Sequence, residues 1–363
     1  MSDSSARQPS AYNGEIDVWK FLFAVVIFLF HSHVFCETPL PKGSICVEFF
    51  FIVSGFFLAS SVLRHPGQSS AAMLWHKIAF VGRPYVISFA IAFAALHVMA
   101  EGPFDWFRWY RDLLGSSREL LMVQQSGILG EGSYNTATWY ISAMILGMAV
   151  LLPLLRRFGR GFATVACPLL AVTCYAVVYN NCKKLTPFDW CFVTLSGTLR
   201  GIAGMALGVF LHELVGLRSR VSRGWARRIF RAVLKVLTVW ALWHFMSGYF
   251  EYEYSENQTF SIVMLFFLLA YLVFSGRGLL CRLPAPVTRF LGATSLYLYL
   301  CHYVMVKILN ILGKRGELDA WPESKAFTVY IAGTVLSMSA CWGLVKAWEL
   351  LERRCARQSR ETV

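Results

Sequence analysis

Residues 21–35, FLFAVVIFLFHSHVF, place two imidazoles inside a stretch of sequence that otherwise suits a lipid bilayer. Ten apolar residues lead into His31-Ser32-His33, and further apolar residues follow. A polar side chain within a membrane-spanning helix costs free energy unless a neighbouring group compensates it, so such residues usually mark a functional site. The stretch therefore predicts a spanning helix that carries chemistry.

The whole chain repeats this apolar character. Of its 363 residues, 56% are apolar and only 15% are charged, whereas a soluble domain carries about 25% charged residues. We therefore predict an all-α, polytopic integral membrane protein with about ten transmembrane helices. Residues 15–352 form its single domain, between a flexible tail over 1–14 and a basic tail over 353–363. The runs long enough to cross about 30 Å of hydrocarbon are found at about 18–36, 43–64, 83–100, 134–155, 161–179, 195–215, 229–249, 258–276, 289–311 and 325–351.

The net charge of +13 is distributed unevenly between the two predicted sides of the membrane. The loops on one side, together with both tails, hold twenty Lys and Arg residues, and the other loops hold fewer than half as many. Because basic loops stay in the cytoplasm, both termini are predicted to be cytoplasmic, and the charge does not indicate a nucleic-acid partner. The basic run at 218–231 fits this topological role or, alternatively, contact with anionic lipid or a phosphorylated substrate.

The largest predicted non-spanning piece is the outer segment 101–133. It mixes aromatic and charged residues with apolar ones, as in helices that lie in the membrane interface rather than cross it. Such a piece can cap an opening on the outer face or simply fill the surface, and both interpretations stay open.

The ten cysteines include no CxxC pair, so we predict no metal or redox centre. Cys36 and Cys46 flank the first outer loop, and Cys182 and Cys191 flank the third. Each pair can form a disulfide in an oxidising compartment or remain as buried thiols.

Helix geometry places several polar residues at one depth. An α-helix turns about 100° and rises about 1.5 Å per residue, so Lys20 and His31 share a face, whereas His33 points away from it. In the outer third of the membrane the predicted spans also place Glu48, Trp139, Arg200, His244 and His302. The convergence predicts a site, and the alternative is that a neighbouring carbonyl satisfies each group separately.

His31 and Glu48 lie on consecutive antiparallel spans joined by a short loop, so we expect them to be in contact. A carboxylate that orients an imidazole and stabilises its protonated form is the arrangement that general-base catalysis needs. A proton relay in a transporter uses the same groups. These residues alone therefore leave an enzyme and a transporter open.

Five blocks of sequence resemble, in order, those of the membrane-bound acyltransferase family 3. This is a family of bacterial multi-span enzymes that transfer acyl groups, usually acetyl, to sugars of surface polysaccharides and glycolipids. The resemblance extends over nearly the whole chain. The blocks are EIDVWKFLFAVVIFLFH (15–31), VEFFFIVSGFFLA (47–59), NTATWYISAMIL (135–146), LRGIAGMALGVFL (199–211) and RFLGATSLYLYLCHY (289–303).

The resemblance implies roles for individual residues of the first blocks. The histidine of the family's first span falls on His31, and its basic residue eleven positions earlier, usually Arg, falls on Lys20. The acidic residue before FF-x-x-SGF, usually Asp, falls on Glu48. The small pair of that motif falls on Ser54 and Gly55, which we expect to allow close helix packing.

The later blocks add further implied site residues. The fourth-span tryptophan falls on Trp139, and the late Tyr-x-x-His falls on Tyr299 and His302. The family's arginine-rich run before Pro-x-Tyr is degraded here to residues 77–85, where Arg83 is retained.

The resemblance implies an acyl-CoA-dependent O-acyltransferase of the bacterial cytoplasmic (inner) membrane that acetylates a sugar hydroxyl of a polysaccharide or glycolipid. Its implied partners are acetyl-CoA or another acyl-CoA as the donor substrate, a carbohydrate acceptor and membrane lipid, with no bound cofactor and no metal. His31 is the implied general base or acyl carrier, oriented by Glu48. Secondary roles in substrate binding, donor binding or oxyanion stabilisation fall on Lys20, Arg83, Trp139, Arg200, Tyr299 and His302.

Two other functions stay open at this point. A transporter or flippase for a lipid-linked glycan would also bury charges among ten spans, although the chain shows no clear internal repeat of the kind that many transporters have. A catalytically silent relative is the third possibility, because Lys20 and residues 77–85 depart from the family pattern.

Overall fold

The computed structural model describes residues 13–100, 105–128, 133–218, 225–248, 256–276 and 278–361. Residues 1–12 of the predicted N-terminal tail lie outside this part of the chain, as do 219–224 of the basic run, 101–104 and 129–132 of the outer segment, and 362–363 of the C-terminal tail. The helices are α1 (Gly14–His31), α2 (Val47–Arg64), α3 (Ser70–Val98), α4 (Trp106–Gly115), α5 (Ser117–Leu120), α6 (Trp139–Gly161), α7 (Cys167–Cys182), α8 (Ser196–Arg218), α9 (Trp225–Met246), α10 (Glu256–Phe274), α11 (Ala285–Lys314) and α12 (Glu323–Glu361). A two-stranded antiparallel hairpin, β1 (Trp190–Cys191) with β2 (Thr194–Leu195), precedes α8.

The described chain has the expected all-α, multi-pass character. Seven helical segments within it are long and apolar enough to cross a membrane. Helix α1 is not among the seven, because its eighteen residues include Glu15, Asp17 and Lys20. The count of ten spans and the cytoplasmic position of both termini stay predictions.

Helices α6 and α7 form one continuous segment that folds back on itself. Gly159 interrupts the helix with φ +56°, a backbone conformation that glycine adopts without steric cost. Both ends of the segment then lie beside the start of α8: the Trp139 ring faces Arg200, and Cys182 lies beside Cys191. The predicted loop at 156–160 is therefore mostly helical, with the reversal at one glycine.

Helices α2 and α8 cross in close contact because glycines face each other. A Cβ atom on Gly55 would overlap the backbone carbonyl of Met205, and one on Gly208 would overlap the carbonyl of Ile52. Small residues let membrane helices approach until their backbones touch. The expected packing role of Gly55 is confirmed.

Helices α1 and α11 run parallel along their length. Gly14 lies against Thr288 near the start of both helices, and the rings of Phe28 and His302 lie 6.5 Å apart near the other end of α1. The parallel register brings the end of α1 level with the middle of α11. It therefore determines which residue of α11 faces His31.

Helix α3 is longer than predicted and begins at Ser70 rather than near residue 83. The Ser69 hydroxyl caps it by accepting the N–H of Ala72 at 3.1 Å, and Pro84 lies inside the helix. The charges and the Gly-x-Pro of this region resemble a loop in sequence, but a proline within a spanning helix is tolerated when neighbouring groups satisfy the freed carbonyl. Arg83 therefore lies within the helix and not at its start. At the C-terminus, α12 continues to Glu361, so the tail predicted over 353–363 is helical as far as it is described.

The described part of the outer segment forms two short helices, and the sequence predicts one or two. In α4 the side chains of Trp106, Phe107 and Tyr110 are 60–76% exposed, which suits a helix with its apolar side in the membrane interface. Glu119 of α5 is buried and anchors the segment, because its carboxylate accepts the backbone N–H groups of Tyr134 and Asn135, each at 2.8 Å.

Candidate active site

His31 is the last residue of α1, and its ring is surrounded by aromatic side chains. The centroid of the His31 ring lies 4.8 Å from that of Phe30, 5.0 Å from that of Tyr303 and 5.2 Å from that of His302. Two of these neighbours come from α11, which the parallel packing brings against α1. The result is a cluster of rings, which we call the His31 pocket, with two imidazoles from different helices.

His302 presents a free basic nitrogen in this pocket. The residue is only 1% exposed, and its Nδ1 lies 3.0 Å from the Leu298 carbonyl oxygen. Because a carbonyl can only accept a hydrogen bond, we assign the proton to Nδ1, which leaves a lone pair on Nε2 in the neutral ring. Among the described residues no group bonds to Nε2. A buried nitrogen without a partner is costly, so it needs an explanation, and a catalytic role is one.

Tyr299 lies one helical turn before His302 and secures α11 to the start of α6. Its hydroxyl donates to the Ala137 carbonyl oxygen, and its ring lies 5.7 Å from the ring of Tyr140. The Tyr140 hydroxyl in turn lies 2.9 Å from the Ser54 hydroxyl. Tyr299 therefore positions the helix that carries His302.

Glu48 does not contact His31, and the expected pairing of these two residues is wrong. One Glu48 oxygen accepts hydrogen bonds from Nε and Nη2 of Arg200, both at 2.8 Å. The other oxygen accepts the Tyr175 hydroxyl. Glu48 is fully buried and Arg200 is 2% exposed, so the two form an internal ion pair between α2 and α8. Sequence correctly placed both residues at one depth, but the side of α2 that carries Glu48 faces α8 and not α1.

The third nitrogen of the Arg200 guanidinium and one of its faces also have partners. Its Nη1 donates to the Leu185 carbonyl at 3.1 Å, and its central carbon lies 5.0 Å from the centroid of the Trp139 ring. The rings of Phe51 and Tyr140 lie between Trp139 and the pocket of His31. The structure therefore brings Arg200 and Trp139 together around Glu48, away from the two histidines.

Lys20 and Arg83, the two basic residues expected to serve the donor, lie apart from the imidazoles. Lys20 forms an ion pair with Asp17 at 2.6 Å and is close enough to Lys77 of α3 for the two charges to repel. Arg83 pairs with Glu352 of α12 at 2.7 Å, and both side chains are partly exposed. The rise of an α-helix puts Lys20 about 16 Å from His31 along α1.

The other two histidines singled out by sequence are more exposed than His302. His33 is exposed, and its Nδ1 lies 2.6 Å from the Phe30 carbonyl oxygen. His244 of α9 is partly exposed, and its Nδ1 lies 3.0 Å from the Trp240 carbonyl oxygen. The separation of His33 from His31 expected from helical phase is wrong, because the 3-10 turn that follows α1 leaves the two ring centroids only 6.3 Å apart.

Sequence reasoning missed three features of this region: the contact of His31 with His302, the ring of Tyr303 and the hydroxyl of Tyr175. A signal for the first was available, since both histidines were placed at one depth on spans that rise in the same direction. No feature of the sequence identifies Tyr175 as the second partner of Glu48.

The described residues contain no cluster of His, Cys, Asp and Glu that could hold a metal ion. No curated protein and no solved structure matches the chain. A family model described as "Acyltransferase domain" matches residues 13–346 and therefore spans α1 to most of α12, including both histidines and the Glu48–Arg200 pair. The chain belongs to the acyltransferase 3 family of membrane acyltransferases.

Proposed function

We propose that this family member is an acyl-CoA-dependent O-acyltransferase of the bacterial cytoplasmic membrane. In this proposal it transfers acetyl from acetyl-CoA to a sugar hydroxyl of a cell-surface polysaccharide or glycolipid. The observation that carries the proposal is the pair of imidazoles, His31 and His302, whose ring centroids lie 5.2 Å apart. One of them has a nitrogen with no partner among the described residues.

The chemistry follows from what an imidazole can do at neutral pH. As a general base, His31 takes the proton of the acceptor hydroxyl while the hydroxyl oxygen attacks the thioester carbonyl carbon. The carbon–sulfur bond then breaks, and CoA leaves as the thiol or thiolate. As an acyl carrier, a His31 nitrogen attacks the thioester first, and the sugar oxygen attacks the resulting acyl-imidazole. Both routes consume one acetyl-CoA and form one ester.

His302 takes the place that Glu48 holds in the expected mechanism. Its Nδ1 proton is fixed by the Leu298 carbonyl, so its Nε2 is available to accept a proton in the pocket that contains His31. Glu48 and Arg200 instead hold α2 against α8, and Trp139 packs on the guanidinium. We therefore propose His302 as the second catalytic residue and treat Glu48 and Arg200 as positioning residues.

Charge along α1 supports a donor that approaches from the cytoplasmic side. Lys20 and Lys77 form a pair of neighbouring positive charges, and lysines bind phosphate as point charges. The phosphates of CoA at this level would leave the pantetheine arm directed along α1 toward His31. The partial neutralisation of Lys20 by Asp17 would then be relieved when phosphate binds.

The proposal is tested with membranes that contain the protein, supplied with acetyl-CoA labelled in its acetyl group and with several glycan acceptors. We expect label in the glycolipid or polysaccharide fraction, and a fall in kcat of about 10²-fold or more for His302→Gln, the order expected for loss of a proton-transfer group. A transporter would leave acetyl-CoA unconsumed. Absence of both transfer and acetyl-CoA consumption by folded protein, with every acceptor tried, would refute the proposal.

The two routes are separated by omitting the acceptor. An acyl-carrier mechanism predicts label that stays on the denatured protein, is released by hydroxylamine and is missing from His31→Ala. A direct mechanism predicts no labelled protein under the same conditions, while transfer proceeds when the acceptor is added.

A further inference from the structure

The loop between α7 and α8 contains two thiols that meet across it. Cys182 ends α7, and Cys191 lies in β1 of the short hairpin. Their sulfur atoms are 3.3 Å apart, about 1.3 Å more than a disulfide bond length. The loop between them reverses the chain directly after Cys182, where Lys183 takes a left-handed conformation with φ +58°. The fold therefore brings the two sulfurs into contact without any other part of the chain between them.

The same loop covers the Glu48–Arg200 pair. The Leu185 carbonyl accepts Nη1 of Arg200 at 3.1 Å, and the Phe188 ring lies 6.4 Å from the ring of Trp139. Two further bonds connect the loop to the first turn of α8, from the Ser196 N–H to the Asp189 carbonyl at 2.8 Å and from the Gly197 N–H to the Pro187 carbonyl at 3.2 Å. Any constraint on the loop is thus transmitted to the outer end of α8.

We propose that Cys182 and Cys191 form a disulfide in the mature protein, and that this cross-link holds the 183–190 loop over the Glu48–Arg200 pair. The loop lies on the face opposite the basic loops, the side that the charge distribution assigns to the oxidising compartment. The proposal concerns the covalent state of the loop and does not depend on acyl transfer.

The oxidation needs a disulfide donor, such as a thiol–disulfide oxidoreductase of that compartment. Cys182 is partly exposed whereas Cys191 is 1% exposed, so the Cys182 thiolate attacks the donor and forms a mixed disulfide with loss of one donor thiolate. Cys191 then attacks the Cys182 sulfur, and the second donor thiolate leaves. Two protons and two electrons pass from the cysteines to the donor. Burial raises the pKa of Cys191 to about 12, so its thiolate is scarce and the first attack on the donor falls to Cys182.

The other pair of outer cysteines provides a control within the same chain. The Cys36 thiol donates to the Ser32 carbonyl at 3.4 Å, and the Cys46 thiol contacts the Met246 sulfur at 3.2 Å. The structure brings neither of them to the other. We expect Cys36 and Cys46 to remain reduced under conditions that oxidise Cys182 and Cys191.

The test counts protected thiols in membranes from cells with an intact oxidising pathway. Samples are quenched in acid, denatured and blocked with N-ethylmaleimide, then reduced and treated with a maleimide–polyethylene glycol that shifts the protein on a gel by one step per thiol. We expect two steps for wild type and for Cys36→Ser, and none for Cys182→Ser or Cys191→Ser. Absence of steps in wild type, or steps that persist in a Cys182→Ser, Cys191→Ser double variant, would overturn the proposal.

Hydrogen exchange tests the effect of the cross-link on the loop and does not require the variants to be active. A disulfide that closes a loop of about ten residues should lower the equilibrium constant for opening of that loop by roughly 100-fold. We expect reduction of wild type to lower the protection of the Ser196 and Gly197 amides by up to that factor. The Cys182→Ser protein should show no response to reductant. Unchanged protection in wild type after complete reduction would show that the bond does not hold the loop.

Discussion

Replacing Glu48 and Arg200 singly and then together tests whether this pair acts in structure or in chemistry. Glu48→Gln leaves a guanidinium that is 2% exposed without a counter-charge, and Arg200→Met leaves a carboxylate that is fully buried. Removing one member of a buried ion pair costs about 3–5 kcal/mol, so the two single costs would sum to about 6–10 kcal/mol. In the double variant no charge remains, and the amide can still accept the Tyr175 hydroxyl. We therefore expect the double variant to cost only about 1–3 kcal/mol.

The free energy of unfolding is measured by titration with sodium dodecyl sulfate in mixed micelles, followed by tryptophan fluorescence. The pair Arg83–Glu352 is the matched control, because its two side chains are 38% and 48% exposed. An ion pair with that exposure contributes about 0–1 kcal/mol, so Arg83→Met and Glu352→Gln should have small and additive effects.

Acyl transfer is measured on the same proteins, normalised to the folded fraction. Because the His31 pocket contains neither Glu48 nor Arg200, we expect the folded double variant to keep transfer within about tenfold of wild type. Additive losses of stability in the double variant would refute the ion-pair reasoning. A double variant that folds but loses transfer by about 10²-fold or more would show that Glu48 acts in the chemistry.

Two further perturbations test the packing of α2 on α8 and the outer segment. Gly55→Ala forces a Cβ onto the Met205 carbonyl and should lower the free energy of unfolding by about 1–3 kcal/mol. In the control, Gly343→Ala, the new Cβ meets open space, so the free energy of unfolding should stay unchanged or rise by up to about 1 kcal/mol. Equal effects of the two substitutions in the same titration would contradict the close crossing of α2 and α8. Burial raises the pKa of Glu119 above its ordinary value of 4.5, so the folded outer segment binds the carboxyl proton more tightly than the opened segment does. The stability of the folded segment should therefore fall as the pH rises from about 4.5, until the folded-state pKa is passed. Amide exchange at Asn135, corrected for the intrinsic rate at each pH, should report this fall. Protection that increases over the same pH range would contradict a raised pKa of Glu119.

Sequence alone was sufficient for the class of fold and for the family, because apolar run length and motif order are properties of the chain itself. The boundaries of the helices were harder to predict from the sequence. Residues 70–82 have the charges and small residues of a loop, yet Ser69 caps a helix that continues through Pro84. This difference moves Arg83 from a cytoplasmic end to the interior of α3, where Glu352 of α12 reaches it.

At the site, the sequence predicted the depth of the residues in the membrane but not the direction in which their side chains face. Counting along spans placed His31, His302, Glu48 and Arg200 in one layer, and the structure groups them into two pairs at that level. Which residue faces which depends on the rotation of each helix about its axis. Here glycine contacts set that rotation, as between Gly55 and the backbone of α8. Helical phase did not separate His31 from His33, because α1 ends at His31 and the following turn leaves the two rings 6.3 Å apart, and it could not choose among partners on different spans.

The most direct test of the claim that His31 carries the acyl-transfer chemistry compares His31→Ala with His33→Ala at matched levels in membranes. The membranes are supplied with acetyl-CoA labelled in its acetyl group and with glycan acceptors. His33 is two residues away and exposed, with its ring centroid 6.3 Å from that of His31, so it controls for the loss of an imidazole near the C-terminal end of α1. We expect label to reach the acceptor with wild type and His33→Ala, and transfer to be lost with His31→Ala. Transfer that survives in His31→Ala would contradict the assignment of the chemistry to this histidine.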